Sequence, residues 1–156
     1  MKGKILVTGG TRYIGSHTTV DLQNSGYEVI IIDNLSNSNI DVLDGIKRIT
    51  GIKPEFVQGD CTDIECLENI FKKHNDIKGI INFAASKAVG ESVAKPLLYY
   101  RNNLNTLMNL LEIMPILLRI EIIFKSFRSA RMTELTKRLS FYLTDTFSCN
   151  VKLFTN

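Results

Sequence analysis

The chain has 156 residues, 44% hydrophobic and 22% charged, with 19 Lys and Arg against 16 Asp and Glu for a formal net charge of +3. These values fit one ordinary globular domain and exclude disordered, fibrous and disulfide-built classes. The small charge, with its basic excess between Arg119 and Arg138 and no Lys/Arg block interleaved with aromatics, argues against a nucleic-acid partner.

Up to Met114, short β-type runs alternate with helix-length amphipathic stretches, the pattern of parallel strands joined by crossover helices. Ile5-Leu6-Val7 is the first strand. Gly15 to Ser25, with Val20 and Leu22 among its apolar positions, is the first helix, closed by Gly26 at its C-terminal cap. Glu28 to Asp33 is the second strand. Val42 to Ile49 reads as a helix, Glu55-Phe56-Val57 as a third strand, and Ile64 to His74 as a helix carrying Ile64, Leu67, Ile70 and Phe71. Gly79 to Phe83 is a fourth strand, and a long helix from near Pro96 carries Leu104, Leu107, Met108 and Leu111 on one face. Strands that are continuously apolar rather than alternating imply helices on both sheet faces.

The pattern changes after Met114. Pro115 to Phe124 can supply one more strand, but Lys125 to Asn156 contains no glycine, which open α/β sheets use at turns and close approaches. The expected organisation is a domain over residues 1–114 and an atypical tail over 115–156. The fold class is α/β, a Rossmann-like doubly wound parallel sheet, incomplete at four to five strands.

The chemistry concentrates at Thr8-Gly9-Gly10-Thr11-Arg12-Tyr13-Ile14-Gly15. A strand running into Gly9-Gly10 and opening a helix at Gly15 sets free backbone N–H groups and the positive end of a helix dipole where a pyrophosphate can sit. The dinucleotide fingerprint uses three glycines, and here Gly9 and Gly15 fill the outer roles while Arg12 holds the central one. An Arg there either crowds the phosphates through its Cβ or swings out and pairs with them. The loss of room and of backbone freedom makes reduced cofactor affinity the expectation. Asp33 ends the second strand, placed to accept the ribose hydroxyls of an adenosine, and is followed by Asn34 rather than Arg, so NAD is favoured over NADP. The plainer reading is a glycine turn that only packs a helix on a strand, with Asp33 a surface loop residue.

The three cysteines, Cys61, Cys66 and Cys149, are spaced like neither a zinc site nor a disulfide framework; no metal is expected, and the thiols read as reduced. The apolar run after Met1-Lys2-Gly3-Lys4 is too short for a signal peptide, and no run approaches the ~18 apolar residues of a membrane span. The expected location is cytoplasmic.

At Asp33-Asn34-Leu35-Ser36-Asn37-Ser38, and more sharply at Asn82-Phe83-Ala84-Ala85-Ser86-Lys87-Ala88-Val89-Gly90-Glu91-Ser92-Val93 and on through Lys95-Pro96 to Asn102-Asn103, the chain resembles the UDP-glucose 4-epimerases, members of the extended short-chain dehydrogenase/reductase family. The resemblance covers residues 1 to about 114. It implies NAD as cofactor and a UDP-sugar as substrate of the full-length family. It also implies that Tyr13 and Ile14 meet the pyrophosphate with their backbones beside Gly9, Gly10, Arg12 and Gly15, while Asp33, Asn34, Asn37 and Ser38 surround the adenine ribose. Asp60 and Cys61 would flank the adenine, Phe83, Ala84 and Ala85 would line the dinucleotide, and Lys87 and Asn102 would reach its nicotinamide half. Phe83 as plain core, Asp60 as a helix cap and Lys87 as a solvated loop charge stay open beside these roles.

In that family a hydride leaves the sugar C4 for NAD and returns to the other face of a 4-keto intermediate, with a Ser/Thr-rich strand end and a Tyr-x-x-x-Lys pair handling the proton. Here the strand end reads Phe124-Lys125-Ser126-Phe127, and Tyr142 is followed four positions on by Thr146, so no catalytic residue is assigned. The expectation is a truncated or frameshifted epimerase copy, inactive alone. The alternatives are a non-catalytic NAD-binding or interaction module and a related sugar-nucleotide dehydratase fragment. The resemblance further implies pairing into a homodimer through two long helices, the Pro96–Met114 helix contributing one.

Overall fold

The computed structural model describes residues 2–113 and the strand 121–124. The elements in chain order are β1 (Lys4–Thr8), α1 (Tyr13–Asn24), β2 (Glu28–Asp33), α2 (Val42–Thr50), β3 (Glu55–Gln58), α3 (Ile64–Lys73), β4 (Ile77–Asn82), α4 (Val89–Ala94), α5 (Pro96–Ile113) and β5 (Glu121–Phe124). All five strands form one sheet in the order β3-β2-β1-β4-β5, and every pairing is parallel. The sheet takes β5 from beyond Met114, pairing Gly79 with Glu121 and Asn82 with Phe124.

The central strands β1, β2 and β4 are mainly apolar because both of their faces are buried. Leu6, Ile30, Ile32 and Ile80 pack with Leu67 and Ile70 of α3 and Leu110 of α5. The alternate residues Val7, Val29, Ile31 and Ile81 pack on the other face with Leu43 and Ile46 of α2 and with Val20 and Leu22 of α1. Each fully buried isoleucine contributes roughly 2 kcal/mol through apolar area removed from water.

Local chemistry sets the helix ends. Gly26, at φ +87°, closes α1 by donating to the Gln23 carbonyl at 2.9 Å while the Tyr27 N–H reaches the Leu22 carbonyl at 3.0 Å, the paired bonds of a Schellman cap. Asp63 starts α3 by accepting from the Glu65 N–H at 3.0 Å.

Of the apolar residues that share one face of α5, Leu104 and Met108 are exposed at 37% and 56% while Leu107 and Leu111 are half-buried, and the helix buries Tyr99, Thr106 and Leu110. The loop expected after β4 contains α4, a short helix none of whose residues is buried. Among the described residues no helix is long and apolar enough to cross a membrane.

Candidate functional site

From β1 the chain crosses to β2 on one side, while β4 is followed by β5 on the other, so the loops leaving the carboxyl ends of β1 and β4 diverge. Such a switch point opens a crevice above an α/β sheet. The first turn contributes Gly9 and Arg12 to it, and the end of β2 contributes Asp33, Asn34 and Asn37. Asp60 and Cys61 enter after β3, Ala84 and Ala85 after β4, and Asn102 from α5.

The glycines of the turn are required by close approach, of backbone at Gly9 and Gly15 and of the Ile31 side chain at Gly10. Gly9 adopts φ +66°, and a Cβ on it would lie 2.9 Å from the Ala84 nitrogen and the Phe83 carbonyl carbon. A Cβ on Gly10 would meet Ile31 Cγ2 at 2.7 Å, and one on Gly15 would press on the Gly9 carbonyl oxygen. Arg12, the residue before α1, has extended backbone (φ −87°, ψ 168°) that any residue adopts. Its Nη1 donates to the Ala85 carbonyl at 3.1 Å, and with the Asn37 amide turned so that its oxygen faces the guanidinium, Nη2 donates to it at 3.1 Å.

Asp33 is 7% exposed, not a surface loop residue. Its carboxylate accepts from the Thr11 N–H at 3.3 Å, the Leu35 N–H at 3.0 Å and the Ser38 hydroxyl at 3.1 Å. The Thr11 hydroxyl donates in turn to the Ser38 oxygen at 2.8 Å. The acid thus ties the glycine turn to the β2–α2 loop. That loop holds Leu35 at φ +58°, a left-handed conformation of order 1–2 kcal/mol unfavourable for a side chain of this kind.

Asp60 accepts from the Thr62 N–H at 2.8 Å and from Asn34 Nδ2 at 3.0 Å. Burial pushes its carboxyl up, but the Thr62 and Asn34 hydrogen bonds outweigh it and hold the value below the usual carboxylate range. Asp63, not Asp60, is the cap of α3. Burial pushes the Cys61 thiol up to about 12, which makes it a packing residue and not a nucleophile.

The lining of the crevice does not include Phe83, Tyr13, Ile14 or Lys87. Phe83 is half-buried against the Val7–Ile81 side of the core. Tyr13 is 80% exposed, its ring edge-on to His17; Ile14 is half-buried and Lys87 is exposed on the loop before α4. Ser126 and Tyr142 fall outside the described residues.

Several positioning residues carried no signal in sequence. The Thr8 hydroxyl donates to Asn82 Oδ1 and accepts from the Ala84 N–H at 3.1 Å, fixing the β4 loop beside Gly9. From α5, Asn103 accepts from the Ser86 N–H at 2.8 Å, and Asn109 donates to the Cys61 and Thr62 carbonyls at 3.1 and 2.9 Å. One helix therefore holds both far loops of the crevice.

Residues 6–132 match the family model described as GDP-mannose 4,6 dehydratase. The chain belongs to this family. Among curated members, it is 53% identical over 110 residues to the UDP-glucose 4-epimerase of Bacillus subtilis (strain 168), covering 70% of this chain and 32% of that protein. To the UDP-glucose 4-epimerase of Neisseria meningitidis serogroup C it is 51% identical over 123 residues, covering 79% and 36%. The chain spans about a third of the length of these relatives. Among solved structures, Bifidobacterium longum UDP-glucose 4-epimerase in complex with NAD+ and UDP matches with TM-score 0.69 and 45% identity, over 71% of this chain and 33% of that one. The Stenotrophomonas maltophila enzyme with bound NAD and formylated UDP-arabinopyranose matches with TM-score 0.75 and 32% identity, over 93% and 49%. The family match runs past Met114, as does the sheet.

Proposed function

We propose that the chain is the NAD-binding portion of a UDP-glucose 4-epimerase, a cytoplasmic isomerase of galactose metabolism that interconverts UDP-glucose and UDP-galactose. The observation that carries this reading is the crevice itself: Asp33 bonded to the glycine turn on one side, and Gly9 seated without side-chain room against the Phe83–Ala84 backbone on the other. These residues fit a dinucleotide, and Arg12 stands at the one position of the turn where the fingerprint has glycine. When bound, NAD would supply hydride transfer. The chain's own residues would bind and orient it: the α1 N-terminus at Tyr13, Ile14 and Gly15 beside Gly9 and Gly10 for the pyrophosphate, Asp33, Asn34, Asn37 and Ser38 for the ribose, and Asp60 and Cys61 for the adenine. Phe83, Ala84, Ala85, Lys87 and Asn102 would line the rest.

Residues 1–114 form the proposed cofactor domain, with 115–156 a tail that lends β5 to its sheet. The exposed apolar residues of α5, Leu97 at 69% and Met108 at 56%, with Val89 and Val93 of α4, support a homodimer through these helices. No serine cluster and no Tyr-x-x-x-Lys pair follow Phe124, so UDP-galactose turnover by this chain alone is expected to be undetectable. Calorimetric titration tests the binding claim. NAD should bind, and NADP about tenfold or more weakly because Asp33 repels a 2′-phosphate. No heat with NAD would overturn the proposal.

A further inference from the structure

On the reading of the crevice as an NAD site, we infer that Arg12 acts as a clasp that exchanges its two loop partners for the diphosphate of the ligand, making it a binding residue and not an obstruction. Its extended backbone shows that this position does not need glycine's conformational freedom, so the substitution removes room alone. The side chain uses that room to reach across the crevice, donating to Ala85 on one loop and Asn37 on the other.

Both acceptors are neutral amide oxygens, and among the described residues no carboxylate lies within ion-pair distance of the guanidinium. A planar guanidinium bonds a phosphate through two parallel donors about twice as strongly as it bonds a neutral oxygen. The exchange is therefore downhill. It also clears the crevice, which has a volume of about 120 Å³ and is lined by Arg12. Arg12 is the long side chain bridging its mouth, and Ala85 and Asn37 are both exposed. Arg12 also precedes α1 without capping it by a side-chain hydrogen bond, so an anion at that helix end meets the first-turn N–H groups and the guanidinium together.

The consequence is selectivity for the diphosphate over the nucleoside. In calorimetry on the full chain, Arg12→Ala and Arg12→Gln, the latter keeping most of the length without the charge, should each weaken ADP binding about tenfold or more, the loss of charge-assisted hydrogen bonds. Adenosine binding should change by less than about twofold, since it lacks the phosphates. Arg12→Gly binding ADP as tightly as the native chain, or more tightly, would show Arg12 to be an obstruction and overturn the clasp while leaving the NAD reading intact. Equal weakening of ADP and adenosine would mean that Arg12 acts by shaping the loops, and would also overturn it. Absence of ADP binding in both the native chain and Arg12→Gly would remove the NAD reading and the clasp with it.

Discussion

Replacing Gly9 by alanine tests whether the turn is built for close backbone approach. Two costs add there. The left-handed φ of +66° penalises any Cβ by about 1 kcal/mol, and that Cβ must displace the Phe83–Ala84 backbone from 2.9 Å, an overpacking cost of roughly 1–3 kcal/mol. Gly26 provides the control: its φ is +87° but nothing lies within 4 Å of an added Cβ, so Gly26→Ala carries the first cost alone. In urea unfolding followed by circular dichroism, with a slope of about 2 kcal/mol per molar, the midpoint should fall by about 1–2 M for Gly9→Ala and about 0.5 M for Gly26→Ala. Equal midpoint shifts at equal slope would refute the steric reasoning. They would mean that the β4 loop yields to the methyl group at no cost.

Thr8→Val leaves the Ala84 N–H and Asn82 Oδ1 without their shared partner, while the Phe83 N–H keeps the Thr8 carbonyl at 3.0 Å; a loss of roughly 2 kcal/mol is expected in the same assay. Iodoacetamide at pH 8 should leave Cys61 unlabelled in the native protein, since the thiol is buried and pushed up to about 12, and should label it in urea, as peptide mass spectrometry would read. The Lys73 hydrogen bond holds the Glu55 carboxyl below its ordinary value of 4.5 against burial, with His74 helping. A depressed folded value means stability that is present above about pH 4.5 and lost as the pH falls through the folded pKa. Glu55→Gln should therefore flatten the acid limb of a plot of urea midpoint against pH, and an unchanged limb would contradict the assignment.

The sheet and its crossovers were legible because Ile5-Leu6-Val7 and Val29 to Ile32 are apolar runs too short for helices, bounded by glycines and polar residues. The turn was legible from glycine spacing, and Asp33 from its place at a strand end. The inward face of α5 was not. Beside the buried Tyr99, Thr106 and Leu110 it carries Asn102, Asn103 and Asn109, which bond a serine hydroxyl and backbone groups of the loops, so hydrophobicity alone does not mark it. α4 was missed for a related reason, since a six-residue helix that buries nothing has no periodic signature. Thr8, Asn103 and Asn109 do their work on loops far away in the chain, and the left-handed Leu35 has no glycine to announce it. Neither kind of feature is written in local sequence.

The crevice joins the first strand of the sheet to the loop after β4, far along the chain. β1 reaches β2 through one short crossover, pairing Lys4 with Glu28, whereas the Thr8 contacts that shape the site reach 75 and 76 residues along the chain. Closing the longer loop costs more entropy and slows the non-local pairing relative to the local one. A partly folded chain can thus hold the β1-α1-β2 unit before it owns a binding site. Any ligand of the crevice recognises only molecules in which β4 has docked, and by mass action it draws the folding equilibrium toward that step.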